Sequence, residues 1–110
     1  MTEAEWLTSD EPDLMLEHLM GKVSRADLVT FVRQCWRRIT PYLPPGPHDY
    51  TVVEQFEEVV DGQSDHDAVI YASEAALKAA RLAPDASAEL RRQAQILRQI
   101  VGSPSSLKKV

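Results

Sequence analysis

Between Ser24 and Leu43, apolar side chains return every three or four residues, at Leu28, Phe31, Val32, Cys35, Ile39 and Leu43, with Val29 and Trp36 alongside. A stripe of that period lies along one face of an α-helix and has to be buried, whereas a half-buried strand would show strict alternation. Ser24 and Asp27 precede it at the spacing of an N-terminal cap, in which the side-chain oxygen takes up an amide of the first turn. The spacing predicts the long central helix of an all-helical domain. Pro41 lacks an amide hydrogen and biases Thr40 away from helical torsions, so this helix is expected to kink or end there.

The flanking segments carry the same period. Thr2 and Glu5 are placed as a capping box ahead of a short helix through Trp6 and Leu7. Ser9 or Asp10 is expected to cap a second helix with Pro12 in its first turn, presenting Leu14, Met15, Leu16, Leu19 and Met20 as a wide apolar face and ending at Gly21. The run Pro44, Pro45, Gly46, Pro47 reads as a stiff spacer. Asp49 is then placed to cap a helix with Val52, Val53, Phe56, Val59 and Val60 on one side, closing at Gly62. Its β-branched content admits a strand, but the three, four and seven spacing favours a helix. Ser64 and Asp67 open a helix with alanines at 68, 72, 75, 76, 79 and 80, small enough for close helix approach, and Pro84 ends it. Ser87 introduces the last helix, with Leu90, Ala94, Ile96, Leu97, Ile100 and Val101, and Gly102 stops it.

With 110 residues there is material for one core, which needs no disulfide or metal to be stable. Residues 1–102 are read as a single domain of about five helices in an orthogonal or irregular bundle, and residues 103–110 as a frayed tail. The acidic first fifteen residues do not resemble a secretory signal, and no apolar run approaches the ~20 residues of a membrane span. Cys35 is the one cysteine, in keeping with a reducing compartment, so the expected setting is cytoplasmic.

The net charge of -5 argues against a protein that coats nucleic-acid phosphates. Charge is also unevenly spread. Residues 25–44 carry one acid and four bases, whereas residues 45–67 carry seven acids and neither lysine nor arginine. Arg33, Arg37 and Arg38 on the central helix, with Arg91, Arg92 and Arg98 on the last, are placed to form a basic strip for a partner, nucleic acid being the alternative to protein. The competing reading pairs them with Glu57, Glu58 or Asp61 inside the fold. Trp36 is a candidate partner-binding residue because tryptophan is enriched at interfaces, although Trp6 and Trp36 both fit a packing role better.

Glu54, Glu57, Glu58 and Asp61 share one helical face, where a divalent cation of a metal-dependent hydrolase would find carboxylates. The facing acidic pair such a site needs is missing, because the Ser64 helix offers Glu74 followed by Lys78 and Arg81. His18, His48 and His66 lack metal-ligand spacing, and no phosphate loop, serine elbow or zinc-type cysteine pair is present. No cofactor is expected. Cys35 lies in the apolar stripe and reads as a small buried hydrophobe rather than a nucleophile.

Several stretches resemble a family of small helical proteins abundant in planctomycete bacteria. They are Glu5-Trp6-Leu7, Met15-Leu16-Glu17-His18-Leu19 with Gly21-Lys22, Phe31 with Cys35 and Arg37-Arg38-Ile39, Asp61-Gly62, and Gln95 through Gly102 with Pro104. The family carries several cysteines around the arginine pair, where this chain has Arg33 and Trp36, so the resemblance implies no shared thiol or metal role. The family's continuation beyond Pro104 is also missing, which implies a minimal, standalone version. The resemblance implies a helical fold in a bacterial cytoplasm and brings no established activity. The leading expectation is a small non-catalytic protein-interaction module, acting on a partner protein or on further copies of itself.

Overall fold

The computed structural model of the chain describes residues 2–19, 23–42 and 48–101, with residues 3 and 48–52 described by their backbone alone. Six α-helices and two single 3-10 turns make up the regular structure of these residues, and no strand occurs among them. The helices are α1 (Glu3–Thr8), α2 (Pro12–His18), α3 (Arg25–Ile39), α4 (His48–Val59), α5 (Asp65–Leu82) and α6 (Ala86–Val101). Met20, Gly21, Leu43, the Pro44 to Pro47 spacer, Gly102 and the 103–110 tail lie outside the described residues.

The predicted caps hold at three helices. Thr2 and Glu5 form the full capping box of α1, Ser24 Oγ accepts from the Asp27 amide at α3, and Ser64 Oγ does the same for Asp67 at α5. Three other starts differ. Helix α2 begins after Glu11, which makes no side-chain cap, and the Ser9 hydroxyl accepts from the Glu11 amide at 3.2 Å instead. Helix α4 begins at His48, so Asp49 sits in its first turn rather than ahead of it. Asp85 caps α6 through the Ala88 amide at 3.1 Å, leaving Ser87 inside the first turn.

Pro41 ends α3 by a route the sequence did not show. Thr40 keeps helical torsions, with φ -49 and ψ -42. Because Pro41 brings no amide hydrogen to the Arg37 carbonyl, the Thr40 amide donates to that carbonyl instead, three residues back. The Thr40 hydroxyl then covers the Trp36 carbonyl at 3.1 Å, so the proline tightens the helix into the 3-10 turn Thr40–Tyr42.

Helix α3 is central. It packs most extensively against α5, and α4 and α6 each lie against both members of that pair. Helices α4 and α6 make little contact with one another, and α2 lies against α5 and α6. The predicted stripe Leu28, Phe31, Val32, Cys35 and Ile39 is fully buried, and the six alanines of α5 are buried too. Leu14 and Val59 are exposed rather than part of the buried faces of α2 and α4.

Ala72 has no exposed surface, so a larger side chain there has to displace what packs on α5. Ala72→Leu should cost ~1–3 kcal/mol, read as a lower urea midpoint at unchanged slope, while Ala88→Leu on the exposed start of α6 stays within ~0.5 kcal/mol.

Candidate functional site

The six candidate arginines do not form one strip, because the fold sends them to different places. Arg33 turns from α3 toward α4 and pairs with Glu57. Arg98 donates from α6 to the carbonyls of Trp6 at 2.9 Å and Ser9 at 3.0 Å. It thereby satisfies carbonyls at the end of α1 and holds the buried Trp6 ring against the bundle. Arg38 grips Glu89 of α6 with two bonds, Nε to Oε2 at 3.0 Å and Nη2 to Oε1 at 3.2 Å. The hydrogen bond to Glu89 raises the pKa of the Arg38 guanidinium above its ordinary value.

Arg37 and Arg92 remain on the surface, on opposite banks of a groove between α3 and α6. Gln34 and Arg38 complete the α3 bank, Gln95 and Gln99 the α6 bank, and Ile96 contributes to the lining of this space of about 430 Å³. Among the described residues no carboxylate lines it. Arg92 donates to the Gln95 amide oxygen at 3.2 Å, which orients its fork along the bank. Arg91 is exposed but does not line the groove. Guanidinium and amide groups side by side offer fixed N–H donors, the chemistry that recognises carboxylate or phosphate oxygens.

Trp36 is buried at 4% exposure, and its indole Nε1 donates to the Ala75 carbonyl at 3.0 Å. It anchors α3 to α5 and is not part of an exposed face. The Glu54, Glu57, Glu58 and Asp61 face is divided. Glu57 is taken by Arg33, while Glu54, Glu58 and Asp61 are exposed. Among the described residues no group of three His, Cys, Asp or Glu side chains converges on a point that could hold a metal ion. A second groove of about 470 Å³ runs between α4 and α5, walled by Phe56, Val59, Tyr71 and Ala75 with Glu58, Glu74 and Lys78 around it.

Glu89 and Gln93 were not singled out from the sequence, although both are buried. The available signal is their register, since 89, 93, 97 and 100 follow one helical face of α6 and place two polar residues in an otherwise apolar stripe. Gln93 Nε2 donates to the Ala76 carbonyl at 2.7 Å, one residue along α5 from the acceptor of Trp36. The destination of Glu89 depends on Arg38, fifty-one residues away, which no local pattern encodes.

No family model, curated protein or solved structure matches the chain.

The Arg38–Glu89 pair is unequal, with side-chain exposures of 41% and 7%, so each partner's loss has a different cost. Arg38→Met strands a carboxylate in an enclosed place and should cost ~1–3 kcal/mol, below the fully buried case because water reaches the guanidinium side. In urea melts Glu89→Gln should lose less than that, and Arg38→Met with Glu89→Met should recover part of the single loss; additive losses would show that the pair is not coupled.

Cys35 is also enclosed, and burial pushes its thiol far above the ordinary value of 9.0, with the Glu89 carboxylate adding to the rise. The unfolded thiol gives up its proton near that ordinary value while the folded one keeps it. Above it the unfolded chain therefore holds fewer protons, and stability falls as pH rises; below it neither state ionises and the group adds no slope. In reducing urea melts from about pH 8 to about pH 10.5, wild type should lose stability relative to Cys35→Ala by up to ~1.4 kcal/mol per pH unit above the thiol's ordinary value. Parallel profiles would mean that the thiol meets water.

Proposed function

We propose that the chain is a small non-catalytic interaction module that receives an acidic segment of a protein partner in the groove between α3 and α6. The observation that carries this reading is a groove lined by Arg37, Arg38 and Arg92 with three glutamines and, among the described residues, no carboxylate, on a chain whose net charge is -5. Carboxylate side chains suit such a lining, because each can accept a forked pair of N–H donors.

A protein partner is favoured over a nucleic acid by extent. Arg33, Arg38 and Arg98 are engaged within the fold, and the two arginines left over the groove match one or two phosphates rather than a backbone track. The resemblance to the planctomycete family, and the bacterial cytoplasm it implies, belong to the same proposal and add no activity to it.

A fluorescent oligoglutamate peptide is the direct probe. Its anisotropy should rise on titration with the protein at about 0.1 M salt and fall back at about 1 M, where the screening length shrinks to ~3 Å. Arg37→Ala with Arg92→Ala should weaken binding at least ~10-fold while leaving the circular dichroism unchanged, since both side chains are exposed. Unaltered binding by that variant removes the groove from the reading. Tighter binding to mixed single-stranded DNA or RNA than to the peptide replaces the protein partner with a nucleic acid.

A further inference from the structure

Helix α2 does not close on α5 along its whole length. Two cavities follow their seam, one of about 200 Å³ where α2, α5 and α6 meet and one of about 300 Å³ between α2 and α5. Asp13 and Ser73 line both, so the two adjoin as one cleft. Along α5 it runs from His66 to Leu77, a span of about 16 Å at the rise of a helix.

The cleft combines uncovered apolar side chains with charge of one sign. Ile70 and Leu77 lie two turns apart on α5 and are 37% and 39% exposed, and Leu90 of α6 joins Leu77 at one end. On the α2 side Glu11, Asp13 and Glu17 are exposed, and none of them pairs with a lysine or arginine among the described residues. Nor does any lysine or arginine among the described residues line the cleft, where His66 is the basic side chain. Glu74 borders it too, but also borders the α4–α5 groove beside Lys78, so the charge of the cleft rests on the three carboxylates of the α2 side. Gln93 lines the inner end. Its amide nitrogen is engaged with the Ala76 carbonyl, whereas its enclosed oxygen accepts no hydrogen bond among the described residues and is an acceptor left over.

We infer that this cleft is a second docking surface, which receives a basic amphipathic helix from a protein partner. A third helix laid along the groove between two others is ordinary helix packing, and apolar anchors one or two turns apart meet Ile70 and Leu77. Lysine and arginine suit the same place, because their aliphatic stems cover apolar surface while their heads reach carboxylates at its edge. A free amine would fill one cavity and leave the other uncovered. A second copy fits less well, since the basic groove between α3 and α6 offers glutamines and the buried Ile96 in place of an apolar ridge. The inference is independent of the α3–α6 groove, which has the opposite charge.

Fluorescence anisotropy of a labelled peptide of leucine and lysine at helical spacing, titrated with the whole protein at about 0.1 M salt, tests it. Oligolysine of equal charge should bind at least ~10-fold more weakly, because it brings no apolar face. Asp13→Asn with Glu17→Gln, and separately Ile70→Ala with Leu77→Ala, should each weaken the peptide at least ~10-fold at unchanged circular dichroism. Glu54→Gln with Glu58→Gln on α4 changes the net charge by the same amount as the first pair and should leave the affinity within about twofold, as should Arg37→Ala with Arg92→Ala. Equal losses from the α2 and α4 pairs, or equal binding of oligolysine, would reduce the effect to overall charge and overturn the inference. Absence of peptide binding overturns it as well, and leaves the reading of the α3–α6 groove to its own titration. Self-association in sedimentation velocity that both cleft variants abolish replaces the partner with a second copy.

Discussion

Ala75 and Ala76 are adjacent on α5, and their carbonyls accept side-chain hydrogen bonds from two different helices, Trp36 of α3 and Gln93 of α6. A mid-helix carbonyl already accepts one amide and keeps a second lone pair, usually screened by the side chains around it. On α5 those side chains are methyl groups, so indole and amide reach the backbone itself. Burial of apolar area does not by itself fix how far one helix slides along another, since it is non-directional. The two hydrogen bonds do fix it, and the positions of both surface grooves follow from the register they set.

The arginines show how a fold sorts chemically identical residues. Arg37 and Arg38 are neighbours in sequence and both border the groove, yet consecutive helical residues point about 100° apart, so only one of them reaches Glu89. One therefore turns toward Glu89 at the α3–α6 seam while the other stays over the groove. The seam pair also neutralises Arg38, which leaves the groove's free charge to Arg37 and Arg92. Arg98 is diverted further, into holding α1 by backbone carbonyls. A surface that reads as six like charges along two helices becomes a short two-charge patch with amides between.

Elements whose cause is local were legible in the sequence. The stripes of α3 and α5 and the caps at Thr2, Ser24 and Ser64 each depend on residues within a turn or two, and they stand as expected. The termination at Pro41 was legible in place but not in form, because an orphaned carbonyl can be met by a shifted amide as well as by a break. The acceptor of the Trp36 indole and the burial of Glu89 depend on partners thirty-nine and fifty-one residues away. The groove was visible only in part, since Arg37 and Arg92 were marked as basic but nothing local shows which arginines the interior will claim.

A surface whose only task is solubility gains by mixing its charges, since each opposite pair at helical spacing contributes ~0.2–0.5 kcal/mol and like pairs cost similar amounts. Among the described residues no acid lines the α3–α6 groove, and α4 carries neither lysine nor arginine. Arg33 with Glu57 and Arg25 with Asp65 show that the fold forms such pairs where the helices adjoin. The α3–α6 groove forgoes them and holds Arg37 and Arg92 with no acid among the described residues that line it. Pairing within the fold gives no reason for that separation. An encounter with another surface does, since unmixed charge on one face orients an approaching molecule, whereas mixed charge cancels within a screening length.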